Sequence, residues 1–303
     1  MAKQATAQPA AGRTGERLAN RGKSKTDILL HAMFIILGII AVFPFYTVII
    51  GSFGTPKGLI WPTVFTLEGY KQIIEYGVGR AFVVSAAVTL VGTLISMILS
   101  LFAAYTLSKK EIPGRNILMA LVIFTMFFGG GLIPYYLTVK GVGLYNSYWV
   151  MILPSAISTY YVWIMLSFFR NFPASLEESA RIDGAGDFTI LARIVIPTSM
   201  PVIASISLFY AVDRWNDWYS PMLFLSDTDK YPLQLMLKNM LTNISQILSM
   251  NVGASTIDQN MIKIPQDSLQ MAAIMIASVP IMAIYPFLQK YFAKGVMVGS
   301  IKG

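Results

Sequence analysis

The segment LEESARIDGAGDFTILARIVIP, residues 176–197, is the most informative stretch of this chain. It is rich in glycine and in acidic and basic side chains, yet long apolar runs flank it on both sides. Apolar runs of that length partition into a bilayer, whereas clustered charges favour water. The contrast predicts a polar connection that emerges from an apolar layer between two membrane-crossing stretches.

The composition predicts an integral membrane protein. Of 303 residues, 55% are hydrophobic and 13% are charged, whereas soluble domains carry about 25% charged residues. The chain has no cysteine and a single histidine, His31. Thiolate catalysis, cysteine–metal sites and histidine-based zinc or acid–base chemistry are therefore not expected.

Six apolar stretches are long enough to cross a bilayer, which takes about 20 mostly apolar residues. We therefore predict an all-α integral membrane protein with six transmembrane helices and a polar hairpin between spans 4 and 5. The predicted spans are residues 28–50, 81–107, 117–139, 148–169, 200–225 and 269–292.

Lysine and arginine residues determine the predicted orientation, because cytoplasmic connections carry an excess of them. Residues 1–27 form a basic tail of disordered composition, without the apolar core of a signal peptide. With this tail in the cytoplasm, most Lys and Arg side chains fall on the inner side. Both termini and the loop 171–197 are then cytoplasmic, and the connection 226–268 is external. The net charge of +8 is thus a topology signal, and no nucleic-acid partner is expected.

The loop 171–197 carries the signals of two short helices. Asn171 can cap the first helix, and Pro173 suits its first turn. Gly184 or Gly186 can end that helix in the left-handed conformation. Asp187 can cap a second helix over residues 188–195. The expected structure is a helix–glycine–helix hairpin at the cytoplasmic membrane surface.

Small residues recur at every fourth position of the second span: Gly92, Ser96, Ser100 and Ala104. A ridge of small residues lets another helix approach closely. We expect packing within this chain rather than a subunit interface.

The fifth span carries three charges in its outer half: Asp213, Arg214 and Asp217. Such charges rarely face lipid, because each costs about 2.5–3.5 kcal/mol at the bilayer centre. Their spacing of three and four residues places them on one helix face. One interpretation is an aqueous path for a solute between two membrane subunits. The other is an internal ion pair, with Trp215 and Trp218 in an interfacial aromatic belt.

The polar loop resembles the EAA motif of ABC-importer permeases, which is Glu-Ala-Ala, three residues, Gly, nine residues, then Ile-x-Leu-Pro. The spacing matches throughout, and the departures are Ser179 for the middle Ala and Ile196 for Leu. The matching residues are Glu178, Ala180, Gly184, Ile194 and Pro197.

Three further stretches resemble the maltose-type carbohydrate permeases. RWNDWYSPMLFL (214–225) is similar to their Trp-Asn signature in span 5. GGGLIPYYLTVKGVGLYNSYWVMILP (129–154) is similar to a subgroup that handles oligosaccharides released from polysaccharides. KGVMVGSIKG (294–303) resembles the Gly-rich tail of the second maltose-type permease.

The resemblance implies a permease subunit of a type I ABC importer in the bacterial cytoplasmic membrane, with a permease domain over 28–293 and a cytoplasmic tail over 294–303. The hairpin would be the coupling helix, which sits in a cleft on a cytoplasmic ATPase dimer. ATP and Mg²⁺ would bind to that dimer, and no cofactor is expected in this chain. A second homologous permease, an external solute-binding protein that contacts residues 239–266, and an oligosaccharide substrate would complete the system.

The resemblance and the charge pattern assign three sets of residues. The ATPase-coupling set is Glu177, Glu178, Ser179, Ala180, Asp183, Gly184, Ala185, Ile194 and Pro197. The solute-path candidates are Asp213, Arg214, Trp215, Asn216, Asp217 and Trp218. The C-terminal ATPase contacts are Gly299, Ser300, Lys302 and Gly303.

Two other classes of protein compete with this interpretation. A membrane-embedded enzyme acting on lipid-linked sugars would need convergent carboxylates, and Asp213 with Asp217 is the available intramembrane pair. An autonomous channel or secondary transporter would need no ATPase and often shows inverted repeats, of which the sequence gives no sign.

Overall fold

The computed structural model describes residues 25–56, 62–251 and 266–300, so predictions that fall on residues 1–24, 57–61, 252–265 and 301–303 lie outside the described residues. The described residues are almost entirely helical, as expected for a helical membrane protein. In chain order the helices are α1 (Lys25–Ser52), α2 (Glu68–Glu75), α3 (Val78–Ser108), α4 (Arg115–Phe127), α5 (Leu132–Gly141), α6 (Thr159–Arg170), α7 (Ala174–Ile182), α8 (Asp187–Thr198), α9 (Met200–Asn216), α10 (Tyr219–Phe224), α11 (Leu233–Asn251) and α12 (Gln266–Ser300). Short 3₁₀ turns cover Tyr148–Met151 and Thr228–Lys230, and α8 contains a π-helical turn, Leu191–Val195.

Within the described residues, three helices are long and apolar enough to cross a membrane: α1, α3 and the first part of α12. They correspond to the first, second and sixth predicted spans. Two more crossings are obtained if each bent pair counts as one span: α4 with α5, bent by 115°, and α8 with α9, bent by 85°. The count of six spans therefore stays a prediction.

Glycine and proline explain why the third and fourth predicted spans are not single helices. α4 ends at Phe127 and α5 begins at Leu132, and between them Gly131 has a φ of +89°. That backbone conformation favours glycine and interrupts a right-handed helix. The fourth predicted span consists of the turn Tyr148–Met151, irregular residues that include Pro154, and the 12-residue helix α6. Proline disrupts helical hydrogen bonding, so a continuous helix is not formed there.

A small β-ribbon departs from the all-α prediction. β1 (Gly54–Pro56) and β2 (Pro62–Phe65) pair antiparallel, with Gly54 opposite Phe65. Phe53 stacks on Phe65, with ring centroids 5.5 Å apart. Strands of three and four residues carry little periodic signal in a sequence, so this ribbon was missed.

Helix α3 lies at the centre of the bundle and packs against α9 and α6. Its small-residue ridge faces α9: Gly92 contacts the Arg214 side chain, and the hydroxyls of Ser100 and Tyr210 are 2.7 Å apart. All four ridge residues are buried. The expected packing within the chain is confirmed.

The predicted external loop 226–268 contains regular structure. The turn Thr228–Lys230 leads into α11, a 19-residue helix. The first turns of α11 are buried in an apolar cluster with Trp215 and the start of α12, through Leu233, Leu237 and others. The external position of 226–268 stays a prediction, and sequence reasoning did not identify α11, although its apolar residues recur at helical spacing.

The C-terminal segment is helical where the structure describes it. α12 runs to Ser300, so Gly299 and Ser300 lie in its last turn. Lys302 and Gly303 lie outside the described residues.

Candidate functional site

The hairpin formed by α7 and α8 turns at a glycine, as predicted. Gly184 has a φ of +82°, and its N–H donates to the Arg181 carbonyl at 3.0 Å. The N–H of Ala185 donates to the Ala180 carbonyl at 2.9 Å. This pair of bonds is a Schellman motif, which satisfies the last carbonyls of a helix. The backbone of Gly184 therefore sets the angle between the two arms.

The predicted start of α7 was partly wrong. Pro173 precedes the helix, but no side chain caps it. The amide of Asn171 instead donates to the Ser167 carbonyl at 2.9 Å, at the end of α6. Asp187 is the first residue of the second arm, after Gly186, and it does not cap it.

One face of the hairpin packs onto the membrane bundle. Ala180 and Ala185 lie against a buried apolar cluster that includes residues of α3, α6 and α9. Leu191 and Val195 in the second arm belong to the same cluster, while Ile194 is half-buried. This packing fixes the position of the hairpin relative to α3.

An ion pair also fastens the first arm to the bundle. Lys109, at the end of α3, pairs with Glu177 in the first turn of α7. Both side chains are largely buried, at 15% and 19% exposure. The Lys109 ammonium also lies 4.3 Å from the centre of the Tyr105 ring. Glu177 therefore contacts its own chain and is not on the free face.

The opposite face of the hairpin is free and partly apolar. Ile182 is 86% exposed and Leu176 is also exposed. Phe188 is 71% exposed, but its ring stacks on Phe102 of α3 with centroids 6.5 Å apart, so it lies beside the bundle. Arg181 and Asp187 form an exposed ion pair across the two arms, at 2.6 Å. Large apolar side chains with that exposure on a polar segment mark an interaction surface. The other exposed residues of this face, which we call the outer face, are Glu178, Ser179, Asp183 and Gly184.

Sequence reasoning missed Ile182 and Phe188. Their signal was present, because both are large apolar residues within a charged hairpin. The predicted residue Pro197 is exposed at the end of α8, beyond the outer face.

A polar cavity lies at the C-terminal end of α9. Its volume is about 390 Å³. The Asp213 carboxylate accepts a hydrogen bond from the Tyr161 hydroxyl at 2.7 Å. The lining residues are Ser155, Ile157, Ser158, Tyr210, Val212, Asp213, Arg214, Asn216 and Asp217.

Arg214 is buried beside this cavity and binds neutral groups. Its Nη1 donates to the Met151 carbonyl at 2.8 Å, and its Nη2 donates to Ser96 Oγ at 2.6 Å. Longer bonds reach the carbonyls of Ser155 and Ile152. The guanidinium therefore joins α3, α9 and the irregular segment after the turn Tyr148–Met151.

Within the described residues, Arg214 forms no ion pair with Asp213 or Asp217, so the internal ion-pair interpretation was wrong. Asp217 Oδ1 instead accepts from the N–H groups of Tyr219 and Ser220, both at 3.1 Å, at the start of α10. A carboxylate in that position satisfies free N–H groups at a helix start. Asp217 lies just beyond the end of α9 in an extended conformation, so the three charged residues do not share one helix face and have three separate sets of partners.

The two tryptophans differ from each other. Trp215 is buried and its Nε1 donates to the Ala277 carbonyl in α12 at 2.9 Å, so it is not part of an interfacial belt. Trp218 is exposed, and the Lys238 ammonium lies 3.2 Å from its ring centre. Asn216 accepts a weak bond from Gln234, at 3.4 Å.

The sequence profile of the family described as "Binding-protein-dependent transport system inner membrane component" matches residues 96–298, which is more than half of the chain. The chain therefore belongs to this family. Its members are permease subunits of ABC importers. The chain is therefore a multi-pass inner-membrane transport subunit and not an enzyme.

Relatives and a solved structure agree with that assignment. The "Polygalacturonan/rhamnogalacturonan transport system permease protein YtcP" of Bacillus subtilis (strain 168) is 42% identical over 91% of this chain and 98% of its own. Protein LplC of the same organism is 43% identical over 88% of this chain and 91% of its own. A crystal structure of a bacterial ABC transporter involved in the import of the acidic polysaccharide alginate superposes with a TM-score of 0.76 and 25% identity. It covers 94% of this chain and 100% of the matched chain.

Proposed function

We propose that this chain forms one half of a sugar-conducting path and receives force from ATPases through the outer face of its hairpin. A second homologous permease would form the other half. The observation that supports this proposal most strongly is the two-sided hairpin: its inner face is fixed to α3, while Ile182 and Leu176 are exposed on its outer face. A segment that is rigidly attached on one side and apolar on the other is suited to transmit movement from a docked partner.

The partner proposed for the outer face is a cytoplasmic ATPase dimer, which would bind the ATP and Mg²⁺. Ser179 and Gly184 leave low places in the surface between the exposed apolar side chains. Apart from its two chain neighbours, no atom of the described residues lies within 4 Å of a Cβ built on Gly184, so a side chain added there would project into the partner. We assign the last turn of α12 and residues 301–303 to a second contact with the same dimer.

The proposed topology has six crossings with both termini in the cytoplasm. The two bent pairs, α4–α5 and α8–α9, would each contribute one crossing. Residues 148–170, with the turn Tyr148–Met151 and α6, would supply another. Broken crossings are tolerated in membranes where other protein segments or water satisfy the backbone. The carbonyls of Met151, Ile152 and Ser155, held by Arg214, provide one example of such a segment.

The proposed substrate is an oligosaccharide of the kind released from polysaccharides, delivered by an external solute-binding protein. YtcP is named for polygalacturonan and rhamnogalacturonan, and the superposed importer for alginate. The cavity near Asp213 is the proposed path, because its serine, tyrosine, asparagine and carboxylate groups can exchange hydrogen bonds with hydroxyls. Residues 239–266 are the proposed contact with the binding protein.

The orientation and the docking surface can be tested together, because the chain has no cysteine of its own. Ile182→Cys should react with a membrane-impermeant maleimide in inside-out vesicles but not in intact cells. Tyr76→Cys, which lies at the other end of α3, should show the reverse pattern. Co-expression of the ATPase should protect Ile182→Cys and leave Tyr76→Cys unchanged. Equal labelling of Ile182→Cys with and without the ATPase would contradict the docking proposal.

Transport provides the second test. Gly184→Asp and Glu178→Lys should each abolish uptake of the sugar while the chain still inserts into the membrane. The reason is that both changes alter the outer face without touching the buried cluster. Gly114→Asp is the control, because Gly114 is an exposed glycine with a left-handed φ of +75° and open space around it, so it imposes the same backbone strain. Retained uptake in either hairpin variant at normal expression would refute the assignment.

A further inference from the structure

A second cavity lies at the end of α3 that is remote from the hairpin. Its volume is about 590 Å³, within the range of roughly 300–1,000 Å³ that is usual for small-molecule sites. Arg80, in the first turn of α3, stands at its wall, whereas Lys109 contacts the hairpin at the other end of the same helix. With a rise of 1.5 Å per residue, these two residues are roughly 44 Å apart along the helix.

The lining of this cavity is aromatic and hydrogen-bonding. Tyr76 and Tyr231 present aromatic rings, and Asn239 and Asn243 present amides on successive turns of α11. Each amide offers two N–H donors and a carbonyl acceptor. Two amides one helical turn apart, with aromatic surfaces nearby, can bind neighbouring hydroxyls and the apolar face of a sugar ring.

The wall of the cavity also carries a pair of opposite charges. Arg80 Nη1 and Asp229 Oδ1 are 2.6 Å apart, and both side chains are more than half exposed. An ion pair with that exposure contributes at most about 1 kcal/mol. The guanidinium can therefore exchange Asp229 for a ligand hydroxyl or carboxylate at little cost.

Asn146 holds this wall in place from the neighbouring loop. It has a left-handed φ of +55°, which asparagine tolerates well. Its Oδ1 accepts from the N–H groups of Ser226 and Asp227, at 3.3 and 3.1 Å. Its carbonyl accepts from the Lys230 ammonium at 2.9 Å. The turn that carries Asp229 is thus anchored independently of any ligand.

We infer that this cavity is a saccharide-binding site at the external mouth of the permease, separate from the cavity beside Asp213. It would hold one sugar residue between Tyr76 and the two amides of α11, with Arg80 directed at the ring substituents. The inference rests on the proposed function, because the hairpin must face the cytoplasm for this cavity to face outward. It places a first sugar contact about 18 Å along α3 from Gly92, which lies beside the inner cavity.

The test uses the complete importer in vesicles and the trisaccharide of galacturonic acid as the probe. The variant Tyr76→Ala/Arg80→Gln removes one ring and the guanidinium from exposed positions. The matched control Glu75→Ala/Gly79→Ala changes the residues immediately before them, neither of which lines the cavity. Both the KM for uptake and the affinity of the sugar-free binding protein for the vesicles are measured.

We expect the cavity variant to raise the KM for uptake about tenfold, the equivalent of about 1.4 kcal/mol, with the control close to wild type. The affinity of the sugar-free binding protein should not change. An unchanged KM would overturn the site, as would an equal loss in sugar-free docking, because the cavity would then be a protein contact. Absence of uptake by the wild type would overturn the proposed function, and this site with it.

Discussion

Replacing Arg214 by methionine should lower the free energy of unfolding by about 3 kcal/mol. The guanidinium makes three hydrogen bonds of 3.2 Å or less, to Ser96 Oγ, the Met151 carbonyl and the Ser155 carbonyl. Bonds of a charged donor are worth about 1.5–3 kcal/mol each, so the gross loss is several kcal/mol. Methionine recovers part of it, because a buried charge no longer has to be desolvated. The three buried acceptors lose their donor, which costs about 1–3 kcal/mol for each group left unpaired, so a net loss of about 3 kcal/mol remains.

The measurement is thermal unfolding of the purified complex in detergent. A loss of about 3 kcal/mol should lower the Tm by about 6 °C or more. Arg80→Met is the control, because its side chain is 58% exposed and its ion pair is a surface one. The control should shift the Tm by no more than about 2 °C.

Arg214→Lys should fall between methionine and the wild type. Lysine keeps the charge, but its three donors radiate from one nitrogen, so it cannot reproduce the spacing of Nη1 on the Met151 carbonyl and Nη2 on Ser96 Oγ. The reasoning fails if Arg214→Met has the same Tm as the wild type, or if the Tm of Arg80→Met falls as far as that of Arg214→Met. Either result would mean that the segment around Met151 is held by packing and not by the guanidinium.

Gly92→Val should destabilise the packing of α3 on α9, because a Cβ at Gly92 would lie 2.6 Å from Arg214 Nε. In the double variant with Arg214→Met, the two losses of Tm should not add. Reversing either charge of the Lys109–Glu177 pair should lower sugar uptake per ATP hydrolysed several-fold, since like charges would meet in a mostly buried position. Reversing both charges together should restore at least half of the wild-type uptake per ATP hydrolysed. Single reversals that leave this ratio unchanged would contradict a coupling role for the ion pair. A backbone N–H two residues on holds the pKa of Asp227 below its ordinary value of 3.8. Its contribution to the turn is therefore complete above that pH and is lost as the pH falls through the lower folded pKa. The protection of the amides of residues 226–230, measured as the exchange rate relative to the intrinsic rate at each pH, should fall there and stay constant between about pH 5 and 8.

The features predicted well from the sequence are those that depend on local backbone or on small side-chain volume. Gly184 was expected to turn the hairpin, because few residues other than glycine adopt a left-handed φ easily. The ridge along α3 was expected to pack within the chain, and Ser100 and Gly92 do contact α9. In both cases the residue type itself carries the constraint.

The features predicted poorly depend on partners that are distant in sequence. A continuous helix would have placed Arg214 and Asp217 on one face, but α9 ends at Asn216. The groups bound by Arg214 lie 59 or more residues away. Periodicity also cannot show that a span of the right length breaks, as at Gly131. Hydropathy reports how apolar a stretch is, and the position of its backbone depends on the elements that surround it.

The three sites described are connected by one rigid element. α3 carries Arg80 near its start, Gly92 at its middle and the ion pair of Lys109 immediately after its end, where the hairpin is attached. Coupling between distant sites requires an element whose position is biased by ligands at both ends. A continuous 31-residue helix with buried contacts along its length moves as a unit more readily than it bends, because the packed interior resists local deformation. A shift of the hairpin by a docked ATPase would therefore change the surroundings of Gly92 and Arg80 together. If so, the Lys109–Glu177 charge reversal should alter the ratio of uptake to hydrolysis without changing the KM for sugar, because it weakens the attachment of the hairpin and leaves both cavities intact.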